Sequence, residues 1–447
     1  MSSCSKDNDP GIGNPEENND KAVIALGLDV PTVTASTRGT GSVGDVAGDQ
    51  NTWNSQKLYI YMVDRNTGLE AEEGAENAKT KILDNGVLEF RAPKADAKDK
   101  GAIRIYKSYT EDSDNGVIQY KYYPTNGQYT FYGYHIDDAA NANPSITATE
   151  KKVTGVTIDG TQDLLAAKTI DMAENDATAA DPESFYKDIA TSLGSEWTEL
   201  MKYQFGARTA RKGIVPVLKF EHQLARLKFF VRAGSASAAG YEWQTSQWVE
   251  RKSSDAAAKP LGMQVTKITL KDMANVVDMD LTVPSSTRNG AGVADFVVCS
   301  KDAAANNKLD PTKGLIDPVV PKYPYEDANI PAQDPDTKGT QVGEPVMFFP
   351  IDDPDNGNIT LSIDLKQYVE DTKDEATGTI TYKEVEKADN KLIIDQSKIS
   401  GATKKFMPGA SYNVYITIYG LEKIEVTAVL TAWENGGDID ADIEDGK

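Results

Sequence analysis

The sequence predicts an all-β protein built from packed sheets, and three observations carry that expectation. Short runs rich in Val, Ile, Thr, Tyr and Phe recur along the chain, each closing in Gly, Pro, Asn or Asp; such residues suit pleated strands and turns respectively. A helical apolar period surfaces in one stretch only. The connections are long and polar, as in a sandwich with surface excursions and at most short helices. At 447 residues the chain exceeds one ordinary sandwich, so two domains of roughly 200 residues each are expected.

The first element is "AVIALGLDVPTV" (22–33). Ile24, Leu26, Leu28 and Val30 alternate with Val23, Ala25, Gly27 and Asp29, a strand with one strongly apolar face. Burying four such side chains contributes roughly 6–12 kcal/mol, against about 5–15 kcal/mol for a whole domain. Removing the strand would leave a groove that is strongly disfavoured when empty. Next come "KLYIYMVDRNTG" (57–68), a strand ending in a turn, and "GVIQYKYYPTNGQYTFYGYH" (116–135), read as two strands joined through Asn126-Gly127. "KKVTGVTID" (151–159) is a further strand. Within 181–205, Phe185, Ile189 and Leu193 recur at spacing four and predict a short helix. "GARTARKG" (206–213) reads as a basic linker between the halves.

"VLKFEHQLARLKFFVRA" (217–233) changes phase. Leu218, Phe220, His222 and Leu224 share one face, then Ala225, Leu227, Phe229 and Val231 take over. A one-residue flip implies a bulge or a strand passing between two packing environments. His222 then sits on the apolar face as a hydrogen-bonded structural residue. Later strands are expected at 263–272, 346–352, 358–365, 379–385, 391–397, 411–420 and 423–433. Surface loops are expected over 235–262 and 310–339. "PTNGQYTFYGY" and "MPGASYNVYITI" each set a Gly turn before an aromatic strand, an echo that fits two related sandwiches in tandem.

The formal charge of −22 and pI near 4.6 repel phosphate backbones, so nucleic acid is an unsuited partner. No apolar run reaches the length of a transmembrane helix. The two cysteines, Cys4 and Cys299, cannot make a disulfide framework or a Cys-rich zinc site. Cys299 falls in the strand-like "VADFVVCS" and reads as a small buried hydrophobe. Cys4 lies in a polar leader with no pattern capable of burial, which suits either an idle thiol or a lipid tether. A lipid-modified cysteine expects a hydrophobic signal segment upstream of the residues given.

Chemical motifs are weak. Gly39, Gly41 and Gly44 match a dinucleotide loop formally, but no helical period follows them. Two histidines, His135 and His222, make no His-rich metal site. "DDPDNGNITLSID" fails as a calcium loop: with Asp353 first the obligatory glycine falls on Asn358, and with Asp352 first the third ligand is Pro354. Tyr120, Tyr122, Tyr129, Tyr132 and Tyr134 could stack sugars, although cross-strand pairing in a core is the commoner use of such a set. The chain is expected to be no enzyme and to need no cofactor or metal.

Several separated pieces resemble the fimbrillins, the lipoprotein-derived pilus subunits of Bacteroidales bacteria. They are "CSKDND", "KLYIYMVDRNTG", "FEHQLARLKFFV" and "FMPGASYNVYITIYGLEKIEVTAVLTAWENGG", in the family's order and spanning nearly the whole chain. The resemblance implies two tandem transthyretin-like Greek-key β-sandwiches after a disordered lipoprotein-type leader (1–21): one over 22–213, with a removable first strand at 22–38, and one over 214–447. It implies lipidation at Cys4, delivery to the outer membrane, and cleavage by a trypsin-like protease between Arg38 and Gly39. Arg208, Arg211 and Lys212 form a rival cleavage site. Other pilus subunits would then supply a replacement strand, and the candidate donor is 423–447. There Val426, Ala428 and Leu430 form one face, and Ile439 and Ile443 continue an apolar stripe beyond Gly436-Gly437. The alternatives are a pilus-tip or lipid-anchored adhesin that binds a host glycan or protein, or a glycan-capturing lipoprotein unrelated to pili.

Overall fold

The computed structural model describes residues 22, 24, 26–29, 57–74, 79–83, 86–91, 102–105, 121–136, 145–147, 151–172, 186–244, 247–251, 253, 261–290, 292–301, 339–351, 357–399, 405–421 and 423–431. The first ten strands are β1 (Gly27–Asp29), β2 (Lys57–Asp64), β3 (Glu72–Glu73), β4 (Thr80–Lys81), β5 (Gly86–Arg91), β6 (Ala102–Ile105), β7 (Tyr129–Ile136), β8 (Ser145–Thr147), β9 (Lys152–Thr157) and β10 (Leu164–Thr169). Three short helices follow, α1 (Lys187–Leu193), α2 (Ser195–Met201) and α3 (Ala207–Ala210). Then come β11 (Val217–His222), β12 (Ala225–Ala233), β13 (Tyr241–Gln244), β14 (Gln247–Glu250), β15 (Gln264–Ala274), β16 (Val276–Asp280), β17 (Ser285–Arg288) and β18 (Val293–Ser300). The last five are β19 (Thr340–Phe348), β20 (Ile359–Lys373), β21 (Ile380–Ile394), β22 (Ser411–Ile418) and β23 (Ile424–Thr431). The protein is all-β.

Backbone contacts divide the described residues into two compact units, one drawn from 22–29, 57–133 and 168–219, the other from 134–167 and 220–431. The sequence pattern groups 22–213 together; in the structure 134–167 groups with 220–431. The reason is pairing: β9 lies antiparallel to β16, opposing Val276 with Thr157 and Asp280 with Lys152.

One sheet has seven strands, ordered β1-β11-β10-β7-β2-β5-β6. The sheet curls enough to bring its edge strands β1 and β6 near each other. β10, "LLAAKT", has no strand signal because alanine favours helix, yet it is buried and central. The predicted helix is two helices. Gly194, at φ 53°, ends α1 and opens α2, a conformation that suits glycine. The buried side chains are Tyr186, Ala190, Trp197 and Leu200; Ile189 and Leu193 are half-exposed, and Phe185 lies outside the described residues. The expected hairpin through Asn126-Gly127 is also revised. Gly127 turns at φ 147°, but residues 121–123 pair with the N-terminal segment, while β7 pairs with β10 and β2.

In the second unit two four-stranded sheets stack, β19-β12-β22-β23 and β18-β15-β20-β21. β18 lies beside β19 and β21 beside β23, so the sheets face each other strand over strand. Between them Leu227, Phe229, Val231, Val414 and Ile416 meet Ile268, Leu270, Leu361 and Ile363, all fully buried. The runs expected at 379–385 and 391–397 are one strand, β21. Its polar middle is an exposed ribbon face that needs no apolar residues, and a bulge at Asp389 (φ 54°) interrupts its register with β20. The 235–262 loop contains the β13–β14 hairpin, with Trp243 opposite Trp248.

The phase change at 222–225 is a strand changing sheets. β11 belongs to the seven-stranded sheet and β12 to a four-stranded one. The crossing is stitched by Gln223 N–H to Leu164 O (2.8 Å), Gly409 N–H to Leu224 O (2.9 Å) and Arg226 N–H to Ala410 O (3.0 Å). His222 Nδ1 lies 2.8 Å from Asp163 Oδ2, with both side chains almost wholly buried. Arg226 is fully buried, and its Nε donates to Ser411 Oγ at 3.0 Å. Burial pulls its guanidinium down to about 10, while Asp163 pulls it back up; it stays charged at neutral pH. Asp163→Asn removes the carboxylate that this buried cation faces. The expected cost is about 3–5 kcal/mol, read as a lower urea midpoint at unchanged slope.

Candidate functional site

The site is the seat of the N-terminal strand. Ala22, Ile24 and Leu26 are buried, 7%, 4% and 5% exposed, at the two-residue spacing that puts alternate side chains on one face. Two backbone hydrogen bonds fix the first part: Tyr123 N–H to Ala22 O (2.9 Å) and Ile24 N–H to Lys121 O (2.8 Å). β1 then runs parallel to β11, pairing Gly27 with Val217, Leu28 with Leu218 and Asp29 with Lys219. The segment thus changes backbone partner midway. β1 is the edge strand, so it has a single ladder of three residues, and a parallel one, the weaker kind per residue.

Aromatic packing supports the strand's partners. Tyr123 is buried, with its ring 5.9 Å from Tyr129 and edge-on to Phe131 at 6.2 Å. Tyr186 packs on Trp197 (5.9 Å) and Phe205 (6.1 Å). Its hydroxyl accepts from Val217 N–H at 2.9 Å, and Val217 O accepts from Ile170 N–H at 2.9 Å. The residue that receives Gly27 is therefore pinned independently of β1. Lys121, beside Ile24, reaches Glu73 at 2.9 Å.

Of the candidate donor residues, Val426 is half-buried on β23, opposite Ile416. The backbones of Ala428 and Leu430 oppose Val414 and Tyr412, so this part of the candidate donor is already seated in its own sheet. Cys4, Val30, Arg38, Gly39, Ile439, Ile443 and the side chain of Leu28 lie outside the described residues, as do Gly41, Gly44 and Asp352 to Asn356. The basic stretch 206–213 is no linker. Thr209 Oγ1 bonds both Gly206 N–H (2.8 Å) and Gly206 O (2.9 Å). Ile214 N–H reaches Thr209 O, and Ala207, Thr209 and Ile214 are buried. Arg208, its guanidinium 4.4 Å from the Tyr203 ring centre, sits inside α3. A protease needs extended chain, so the rival site at Arg208, Arg211 and Lys212 is closed in the folded state.

Tyr129, Tyr132 and Tyr134 are buried, the core placement that the sequence favours over sugar stacking. His135 is buried on β7, and Cys299 is a buried thiol on β18, not joined in a disulfide. Among the described residues no cluster of His, Cys, Asp and Glu could hold a metal ion, and no helix is long and apolar enough to cross a membrane.

No family model and no curated protein matches the chain. Solved structures similar to it include a candidate cell adhesion protein from Bacteroides uniformis, 11% identical over 92% of this chain and 98% of that one, TM-score 0.41. Another, from Bacteroides fragilis, is 12% identical over 93% and 99%, TM-score 0.36. A candidate adhesin from Bacteroides thetaiotaomicron is 8% identical over 90% and 95%, TM-score 0.35. Likenesses this distant say nothing about function, which rests on the chain's own residues.

Burial holds Tyr129 up at about 12, with Asp64 adding to the effect, and burial does the same for Tyr412. Each hydroxyl is neutral in the fold while its unfolded counterpart ionises near 10. The unfolded chain therefore binds fewer protons between pH 10 and 12, and stability falls as pH rises through that window. Tyrosinate absorbance should lag the free-tyrosine titration and then rise together with the loss of near-ultraviolet circular dichroism.

Proposed function

We propose that the chain is a structural subunit of a cell-surface pilus, assembled by proteolytic removal of its first strand and strand exchange with a neighbouring subunit. In this reading it is exported as a lipoprotein held at Cys4 and folds as transthyretin-like sandwiches. A trypsin-like protease then cuts it between Arg38 and Gly39. The observation that carries the reading is the seat of residues 22–29. Their apolar face is buried as a core face would be, yet a three-residue edge ladder and two flanking hydrogen bonds are their regular backbone attachment. Loss of the strand makes β11 the sheet edge and leaves the 217–219 backbone on that side open, which is the template for strand addition. Ile24 and Leu26 alone leave pockets worth about 3–6 kcal/mol of lost burial, so an incoming apolar strand is strongly drawn in.

Other subunits and the processing protease are the partners this reading requires, with the extracellular fimbrium as destination. The donor is more economically drawn from residues beyond Thr431, because β23 pairs along its whole length with β22. A glycan-capturing lipoprotein that stacks sugar on the tyrosine run is disfavoured by the burial of Tyr129, Tyr132 and Tyr134.

Mild trypsin treatment, followed by N-terminal sequencing and size analysis, tests the proposal. A new terminus at Gly39, an uncut 206–213 turn and a shift to larger species are expected, with Arg38→Ala remaining monomeric. An Arg38→Ala chain that polymerised as readily as the parent would exclude cleavage there as the switch.

A further inference from the structure

One face of β12 points away from the sandwich core. Arg226, Lys228, Phe230 and Arg232 alternate there with the fully buried Leu227, Phe229 and Val231. Residues two apart on a strand stand about 6.6 Å apart, so three cations share one side, with Phe230 between Lys228 and Arg232, which stand about 13 Å apart. Beside them, in parallel register on β22, stand Ser411, Asn413, Tyr415 and Thr417. Arg226 is occupied by Ser411 and faces Asp163. Arg232 Nε donates to Thr417 Oγ1 at 2.8 Å, and its guanidinium lies 5.7 Å from the Tyr415 ring centre. That ring stacks on Phe230 at 5.4 Å. Lys228 is half-buried between them, and no described carboxylate is paired with it. Burial, with Arg226 nearby, lowers its ammonium to about 8. In a chain of net charge −22, such a row calls for an anionic cover.

The chain itself supplies one. β23 ends at Thr431, which is in register with Ser411, the residue that opposes Arg226. Residue 432 therefore starts about 10 Å, two strand spacings, from the row. Beyond it come Glu434 and Gly436-Gly437, then Asp438, Asp440, Asp442 and Glu444. An extended chain spans about 3.3 Å per residue, so residues 432–437 cover the gap and 438–445 reach along the row. Acids four residues apart, Asp438 and Asp442 or Asp440 and Glu444, then match Lys228 and Arg232, which are also four apart.

We propose that the acidic segment 434–447 docks in extended form along Lys228, Phe230 and Arg232 of its own chain, setting alternate carboxylates against the two reachable cations. The contact belongs to a chain whose own tail has not been given to a neighbour as donor strand, and it does not depend on whether that chain's residues 22–29 are exchanged.

Acetylation of the full chain, read by peptide mass spectrometry, gives the rate at Lys228 relative to the exposed Lys202. Combined Asp438→Asn, Asp440→Asn, Asp442→Asn and Glu444→Gln substitutions lie beyond β23 and leave the sheets intact. They should raise the relative rate about fivefold, the worth of a partly exposed ion pair, and molar salt should abolish the difference. Equal rates in the two chains at low salt would overturn the proposal. So would a difference that grows with protein concentration, which would assign the contact to the tail of a second copy.

Discussion

Residues 22–29 are held by two kinds of contact of unequal strength. The backbone contribution is small: a parallel ladder of three residues and two hydrogen bonds to residues 121–123, each bond worth about 0.5–1.5 kcal/mol net. The side-chain contribution is larger, because Ile24 and Leu26 are almost fully withdrawn from water. A strand held this way is specified by its apolar face and not by its place in a sheet. Any chain that presents the same alternation in the same groove could satisfy it. The pinning of Val217 by Tyr186 and Ile170 keeps the receiving strand in position whichever chain occupies the groove.

That receiving strand continues into the crossing at 222–226, where β11 leaves one sheet and β12 enters another. The crossing combines backbone bonds to Leu164, Gly409 and Ala410 with the Asp163–His222 contact and the Arg226–Ser411 bond. A buried arginine is costly unless its charge is answered, so the choice of partners fixes where the strand turns. The edge that accepts the N-terminal segment is thereby coupled by chain continuity to the sandwich core of Leu227, Phe229 and Val231.

Much of this is legible in the residues. Alternation at 22–30 marks the face that is buried at Ile24 and Leu26, and the phase flip at 224–225 marks the change of sheets, because a period of two reports directly on which side is covered. Other features are hidden for physical reasons. β10 is rich in alanine, whose intrinsic preference is helical, and only its place between β7 and β11 makes it a strand. β21 looks like two runs because an exposed ribbon tolerates charges at every position. The 206–213 turn looks like a linker because its order comes from Thr209 closing on Gly206, a contact with no periodic signature. At the site, the partner switch of residues 22–29 and the supporting tyrosines have no local signal, since they depend on segments about a hundred and two hundred residues away meeting at one strand.

The central claim is that residues 22–29 are a native strand whose opening is separate from that of the rest of the fold. Native-state hydrogen exchange under increasing denaturant measures this directly at the Ile24 and Tyr123 amides, compared with Phe229 and Val414. The account predicts that Ile24 and Tyr123 are protected, yet open together at a free energy well below that of β12 and β22. Exchange of Ile24 at the rate of an unstructured peptide, or only through global unfolding, would contradict it.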